Sequence, residues 1–143
     1  MKNILLFCFV LFFISCDTKP QPLIAGKDDC SFCKMPVADT KFGGEIITSK
    51  GKIYKFDDVI CMIHFMNAGL KPNEKIKNIF AVSYTNNIKL MDVEQTFFLV
   101  SSQFHTSMNS GTACFESLKD AETYQENFPG NILSWREVQQ TLK

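Results

Sequence analysis

Two short runs, Glu45-Ile46-Ile47-Thr48 and Ile53-Tyr54-Lys55-Phe56, flank the turn Ser49-Lys50-Gly51-Lys52. This arrangement constrains the chain most. Strand-forming residues joined by a glycine-bearing turn predict a hairpin, because glycine supplies the positive φ that such turns need. Asp57 or Asp58 can then cap a helix by accepting from its free amides. The helix, Val59 to Met66, is apolar almost all round and is expected to be deeply buried. Gly69 and Pro72 stop it, and Ile79 to Tyr84 reads as a further strand. The first order of elements is therefore β, β, α, β.

The second half repeats that order without repeating the residues. Thr96 to Ser101 is a strand by composition, and a polar loop from His105 to Gly111 leads to the short strand Thr112-Ala113-Cys114-Phe115. Ser117 caps a helix from Leu118 to Asn127, Pro129-Gly130 ends it, and Ile132 to Trp135 closes the unit. The expected class is α+β: two tandem ββαβ units, about residues 28–86 and 87–136, packed as one small globular domain, with 137–143 as a tail. A chain of 143 residues, 45% apolar and carrying 14 Phe, suffices for one such core. Fifteen basic residues balance fifteen acidic ones, which argues against nucleic acid or an anionic membrane recognised by overall charge.

Residues 1–15 stand apart from this pattern. Lys2 precedes an apolar run of eleven residues, Ile4 to Ile14, too short for the roughly 20 that span a bilayer but suited to a secretory signal. Phe13-Ile14-Ser15-Cys16 resembles a bacterial lipobox, with Phe where Leu is usual. Cys16 would then carry lipid and become the new N-terminus, tethering the protein to a membrane of the cell envelope without a spanning helix. Cleavage as an ordinary secreted protein, or retention of the segment as an anchor, is the alternative. Residues 16–27, with Pro20 and Pro22, read as the attachment cysteine and a flexible linker.

Without this leader, four of the six cysteines remain: Cys30, Cys33, Cys61 and Cys114. Cys61 lies in the apolar helix and Cys114 in a strand, so each reads as a small buried hydrophobe, with a bridge between them as the open alternative. Cys30-Ser31-Phe32-Cys33-Lys34-Met35 is different, because it gathers three sulfur side chains in six residues. Zinc knuckles, redox pairs and copper sites share the two-residue cysteine spacing. A zinc site normally takes four ligands from a second such pair, and the sequence has none. A redox pair favours a helix N-terminus after a strand, which Pro36 and the lack of a preceding strand oppose. Met35 adds a thioether, and thiolate with thioether selects Cu(I). Met108, among Thr106, Ser107, Asn109 and Ser110, has no local apolar neighbours and is the better second methionine than helical Met62 or Met66. His64, on the apolar helix, reads as a structural residue.

The lipobox, the short linker, Cys30-x-x-Cys33-x-Met35, Phe56-Asp57 before the first helix and Met108 in a small-residue loop together resemble the NosL family of lipoprotein copper chaperones. The resemblance covers roughly residues 28 to 136. It implies two ββαβ units, one bound Cu(I), and delivery in the periplasm toward the copper centres of nitrous oxide reductase. Cys33 and Met35 correspond to the family's Cys-x-Met element, Met108 to its second-unit methionine, and Cys30 to the first cysteine of its fuller motif. The family often has Pro-Met-Gly and then an acidic residue where this chain has Ser107-Met108-Asn109-Ser110. That departure leaves His105 as a candidate nitrogen donor.

The expected function is a membrane-anchored Cu(I) chaperone, not an enzyme, with Cys33, Met35, Met108 and Cys30 as ligands and a periplasmic cuproenzyme as client. Two other readings stay open. One is a thiol-disulfide lipoprotein using Cys30 and Cys33, and the other a structural lipoprotein that binds no metal.

Overall fold

The computed structural model describes residues 18–142; Cys8, Cys16 and the signal segment lie outside them. Strands β1 (Gly44–Thr48) and β2 (Ile53–Phe56) form the expected hairpin, with Gly51 at φ 77°. Helix α1 (Val59–His64) follows, capped by Asp58, whose side chain accepts from the Ile60 amide at 3.1 Å. Such a cap contributes about 1 kcal/mol. A π-helical turn, Phe65–Gly69, then ends the element, with Gly69 so close to the Phe65 ring that a Cβ there would meet it at 2.4 Å.

Strand β3 (Ile76–Val82) returns antiparallel to the free edge of β1, pairing Gly44 with Ala81 and Glu45 with Phe80. It starts three residues earlier than the sequence suggests. A short strand absent from the sequence reading, β4 (Leu90–Asp92), extends the sheet to the order β2-β1-β3-β4.

The second unit has the same wiring. Strands β5 (Phe97–Val100) and β6 (Thr112–Phe115) pair antiparallel, α2 (Leu118–Gln125) crosses, and β7 (Asn131–Leu133) pairs with β5. Its sheet order is β6-β5-β7, so in each unit the first strand lies between its hairpin partner and the strand after the helix. The α+β class with two antiparallel sheets and few helices agrees with the expected repetition of order.

One core serves both units. Phe56, Met62 and Ile63 from the first pack in the same cluster as Phe98 and Cys114 from the second. Phe42 and Tyr84 reach the other way, joining Leu99, Phe104 and Phe115. Backbone also joins the sheets: Tyr84 N–H donates to Cys114 O at 2.8 Å.

Two segments differ from the sequence reading. Instead of a strand end and a tail, Trp135–Thr141 form a helix, α3, opened by a capping box between Ser134 and Glu137. Trp135 and Val138 are buried, and the indole lies 5.5 Å from the Phe98 ring, so this helix closes the core. At the other terminus, residues 18–27 are strapped along the first sheet rather than forming a free linker. Thr18 lies over the β1–β2 turn, its Oγ1 only 2.5 Å from where a Gly51 Cβ would stand. Gln21 N–H donates to the buried Glu45 carboxylate at 3.1 Å, and Leu23 is buried against Gly43. Among the described residues no helix is long and apolar enough to cross a membrane.

Candidate metal centre

The sulfur stretch folds into a knuckle held by its own backbone. Cys30 N–H donates to Met35 O at 2.8 Å, Lys34 N–H returns to Cys30 O at 3.0 Å, and Lys34 takes a φ of 66° to close the loop. Ser31 fastens the knuckle to β2: its amide donates to Lys55 O at 2.7 Å and its Oγ accepts from Lys55 N at 3.1 Å. Cys30 therefore points into the core and is fully buried, while Cys33 stays half-buried at the mouth.

Where β2 passes into α1, Asp57 stands just before the capping Asp58, and Cys61 lies in the first turn of the helix. They meet the knuckle from below. One donor atom from each of Cys30, Cys33, Asp57 and Cys61 lies within 4.8 Å of every other. Cys33 Sγ is 3.8 Å from Asp57 Oδ1, while Asp57 Oδ2 is buried with no hydrogen-bond partner. A buried carboxylate oxygen without a partner is costly unless something cationic or protic fills its place.

The electrostatics fit a cation-binding group. The Cys61 thiol within 4.8 Å, together with the backbone amides of Asp57, Cys33 and Phe32, favours negative charge on the Cys30 sulfur and holds it well below the ordinary thiol range. The same interaction pushes Cys61 far up, since its proton is the one shared. Burial raises Cys33 as well, and burial beside the Cys30 sulfur pushes Asp57 up to about 6, with Ser107 partly opposing. Negative charge in the cluster is thus favoured on Cys30 and disfavoured on its three neighbours. A soft cation can replace the remaining thiol protons, and uptake then releases them.

The second unit meets this site through its loop. Met108 N–H donates to Asp58 Oδ2 at 2.9 Å, which sets the loop on the N-terminus of α1 beside Asp57. Of the ligands expected from sequence, Cys30 and Cys33 are brought together in the cluster. Met35 and Met108 are exposed, at 46% and 39%, on the knuckle and on the docked loop. His105 is exposed on that loop, and His64 packs edge-on against Phe32 with centroids 5.4 Å apart.

Asp57 and Cys61 were not anticipated as donors. Cys61 read as a packing residue, and it is fully buried, yet its thiol faces Cys30 rather than Cys114. An acidic residue at the strand end followed by a cysteine in the first turn of the next helix was the signal available. All four described cysteines are unbridged, and Cys114 sits apart beside Thr96, with burial pushing its thiol up to about 12.

Comparison with known proteins places this geometry in context. A family model described as NosL matches residues 21–143. Among solved structures, the chain is similar to the crystal structure of the copper chaperone NosL from Shewanella denitrificans, with a TM-score of 0.70 and 21% identity over 87% of this chain and 98% of that one. No curated protein matches the chain in a sequence search.

Proposed function

Because this chain belongs to the NosL family, we propose that it is a Cu(I) chaperone, a carrier rather than an enzyme, held to a membrane of the cell envelope by lipid on Cys16. The observation that carries the reading is the convergence of three sulfurs and the unpartnered Asp57 Oδ2 in one buried pocket. Met35, two residues after Cys33, and Met108, whose amide is held by Asp58, are both exposed, and in this reading they serve as rim ligands. Thioethers bind Cu(I) weakly and reversibly, so rim methionines suit capture and release, whereas the thiolates beneath hold the ion more firmly. Cys33, half-buried between the two layers, is the natural point of transfer. The client is a copper-receiving enzyme of the periplasm, with nitrous oxide reductase the candidate that the family resemblance supplies.

The test is an anaerobic Cu(I) titration of the reduced protein against a chromophoric chelator, with X-ray absorption at the metal. One Cu(I) per chain with two or three sulfur neighbours is expected, and Cys33→Ala is expected to lose nearly all of it. Unchanged binding in that variant rejects the assignment. Mass spectrometry of the membrane-extracted protein tests the lipid on Cys16 separately.

One observation favours a second metal. Three thiols and a carboxylate also make a complete tetrahedral set for Zn(II). Competition between the two ions decides: a chaperone of this kind retains Cu(I) when challenged with excess Zn(II), and loss of copper under that challenge identifies a zinc site instead.

A further inference from the structure

The zero net charge conceals a local segregation. Three segments meet at the turn end of the first hairpin. Ser49 N–H donates to Lys75 O at 2.8 Å, and Lys52 pairs with Glu74 at 3.4 Å, so the loop before β3 lies against the β1–β2 turn. Thr18 lies over Gly51 in the same turn. Together these segments expose Lys19, Lys50, Lys52, Lys71 and Lys75 against a single acidic residue, Glu74, which is already shared with Lys52 and Tyr54.

We infer that this lysine-rich end is a docking surface for anionic lipid headgroups, and that it turns the metal centre away from the bilayer. Two separate observations converge on it. Charge is one: clustered lysines near a surface gain favourable interaction with anionic lipids within about a Debye length. Chain path is the other. The strap from Leu23 back to Thr18 runs from the metal-centre end of β1 to the turn, so the chain leaves the folded body among these lysines. Cys16 lies two residues further, and two residues reach at most about 7 Å. An anchor there brings the lysines to the headgroups without any spacer. That part rests on the lipid attachment proposed above; the charge argument does not.

The geometry fixes the orientation as well. Lys52 and Asp57 flank β2 at opposite ends, separated by its four residues and hence by roughly 15 Å. With the turn on the membrane, Cys33, Met35 and Met108 face the aqueous side, where a soluble acceptor approaches.

The experiment uses the mature chain from residue 17 onward, made without lipid, which keeps every residue of the folded body. Sedimentation with vesicles of phosphatidylcholine alone, or with about 30 mol% phosphatidylglycerol to supply the negative surface potential that attracts basic segments, reads its association. At low salt we expect at least tenfold stronger binding to the anionic vesicles, lost in high salt. Lys50→Glu/Lys75→Glu should weaken it about tenfold or more, while Lys41→Glu/Lys119→Glu, away from this end, leaves it unchanged. Equal binding to both vesicle types, no binding to either, or equal loss in both double variants overturns the proposal. Far-UV circular dichroism confirms that each variant is folded, and its Cu(I) stoichiometry, read separately, keeps failure of the membrane surface apart from failure of the copper reading. For the lipidated protein, quenching of a fluorophore on position 50 by lipid-borne quencher should exceed that of one on position 108, and the reverse order rejects the orientation.

Discussion

Cys61 Sγ on α1 lies within 4.8 Å of Cys30 Sγ on the N-terminal knuckle, bringing together two segments that the sequence separates by β1 and β2. The contact has a consequence that a packing role alone does not. Replacing Cys61 with Ala removes a donor from the metal set as well as a little buried volume. The expected result is at least a tenfold loss of Cu(I) affinity and one fewer sulfur in the absorption spectrum. A variant that is only less stable, with copper affinity intact, restores Cys61 to the core alone.

Asp57→Asn keeps the shape of the carboxyl and deletes its charge. Burial raises its folded pKa to about 6, above the ordinary carboxylate range, so the acid form is favoured in the fold. Its stabilising effect is present at low pH and is lost as pH rises through about 6. Above that pH the metal-free Asn variant should be as stable as the parent or more so, while holding Cu(I) less tightly. Urea titration at pH 7.5 and chelator competition read the two effects, and a less stable variant with unchanged copper affinity contradicts the role assigned to this carboxylate.

Glu45 gives a pH dependence from outside the thiol cluster. It is fully buried on β1, and burial pushes it up to about 7, against the pull of the Gln21 amide. In the unfolded chain it titrates near 4.5. The folded state therefore binds the extra proton between these values, and stability falls as pH rises through about 7, by up to about 3 kcal/mol on a fully expressed shift. Glu45→Gln should flatten that part of the stability profile. An identical slope between pH 5.5 and 8 in both proteins excludes Glu45 as its source.

Trp135→Ala tests whether α3 belongs to the folding unit. Its ring is buried against Phe98, and a large-to-small change of this kind costs about 3–5 kcal/mol. Denaturant unfolding should show a single transition at lower midpoint, with the two sheets lost together. Separate loss of α3 before the sheets contradicts the shared core.

The order of elements was legible because it depends on local signals. The Gly51 turn, the Asp58 and Ser117 caps and the Pro129-Gly130 stop each act over a few residues, and β2 and β6 emerge at their expected bounds. Strand β4 was not legible, since its three residues gain definition only by pairing with β3. Helix α3 had its Ser134-x-x-Glu137 signature in view, but so short an amphipathic run carries little weight beside a strand signal at Ile132 and Leu133. Half of the thiol cluster was concealed for a different reason. Burial in a core and enclosure of an ion place a cysteine in the same kind of position, so an apolar helix gives Cys61 one appearance for two roles. Likewise, the strap left no mark, because the partner of Gln21 is a glutamate twenty-four residues away.

Asp58 commits both oxygens: one caps α1 at the Ile60 amide, and the other holds the Met108 amide of the opposite unit. The lip of the pocket and the first turn of the helix that carries Cys61 therefore hang on one side chain, so a departure of that side chain frees both. Hydrogen exchange would record it as a shared clock, the Ile60 and Met108 amides losing protection at one rate, and Asp58→Asn would quicken both.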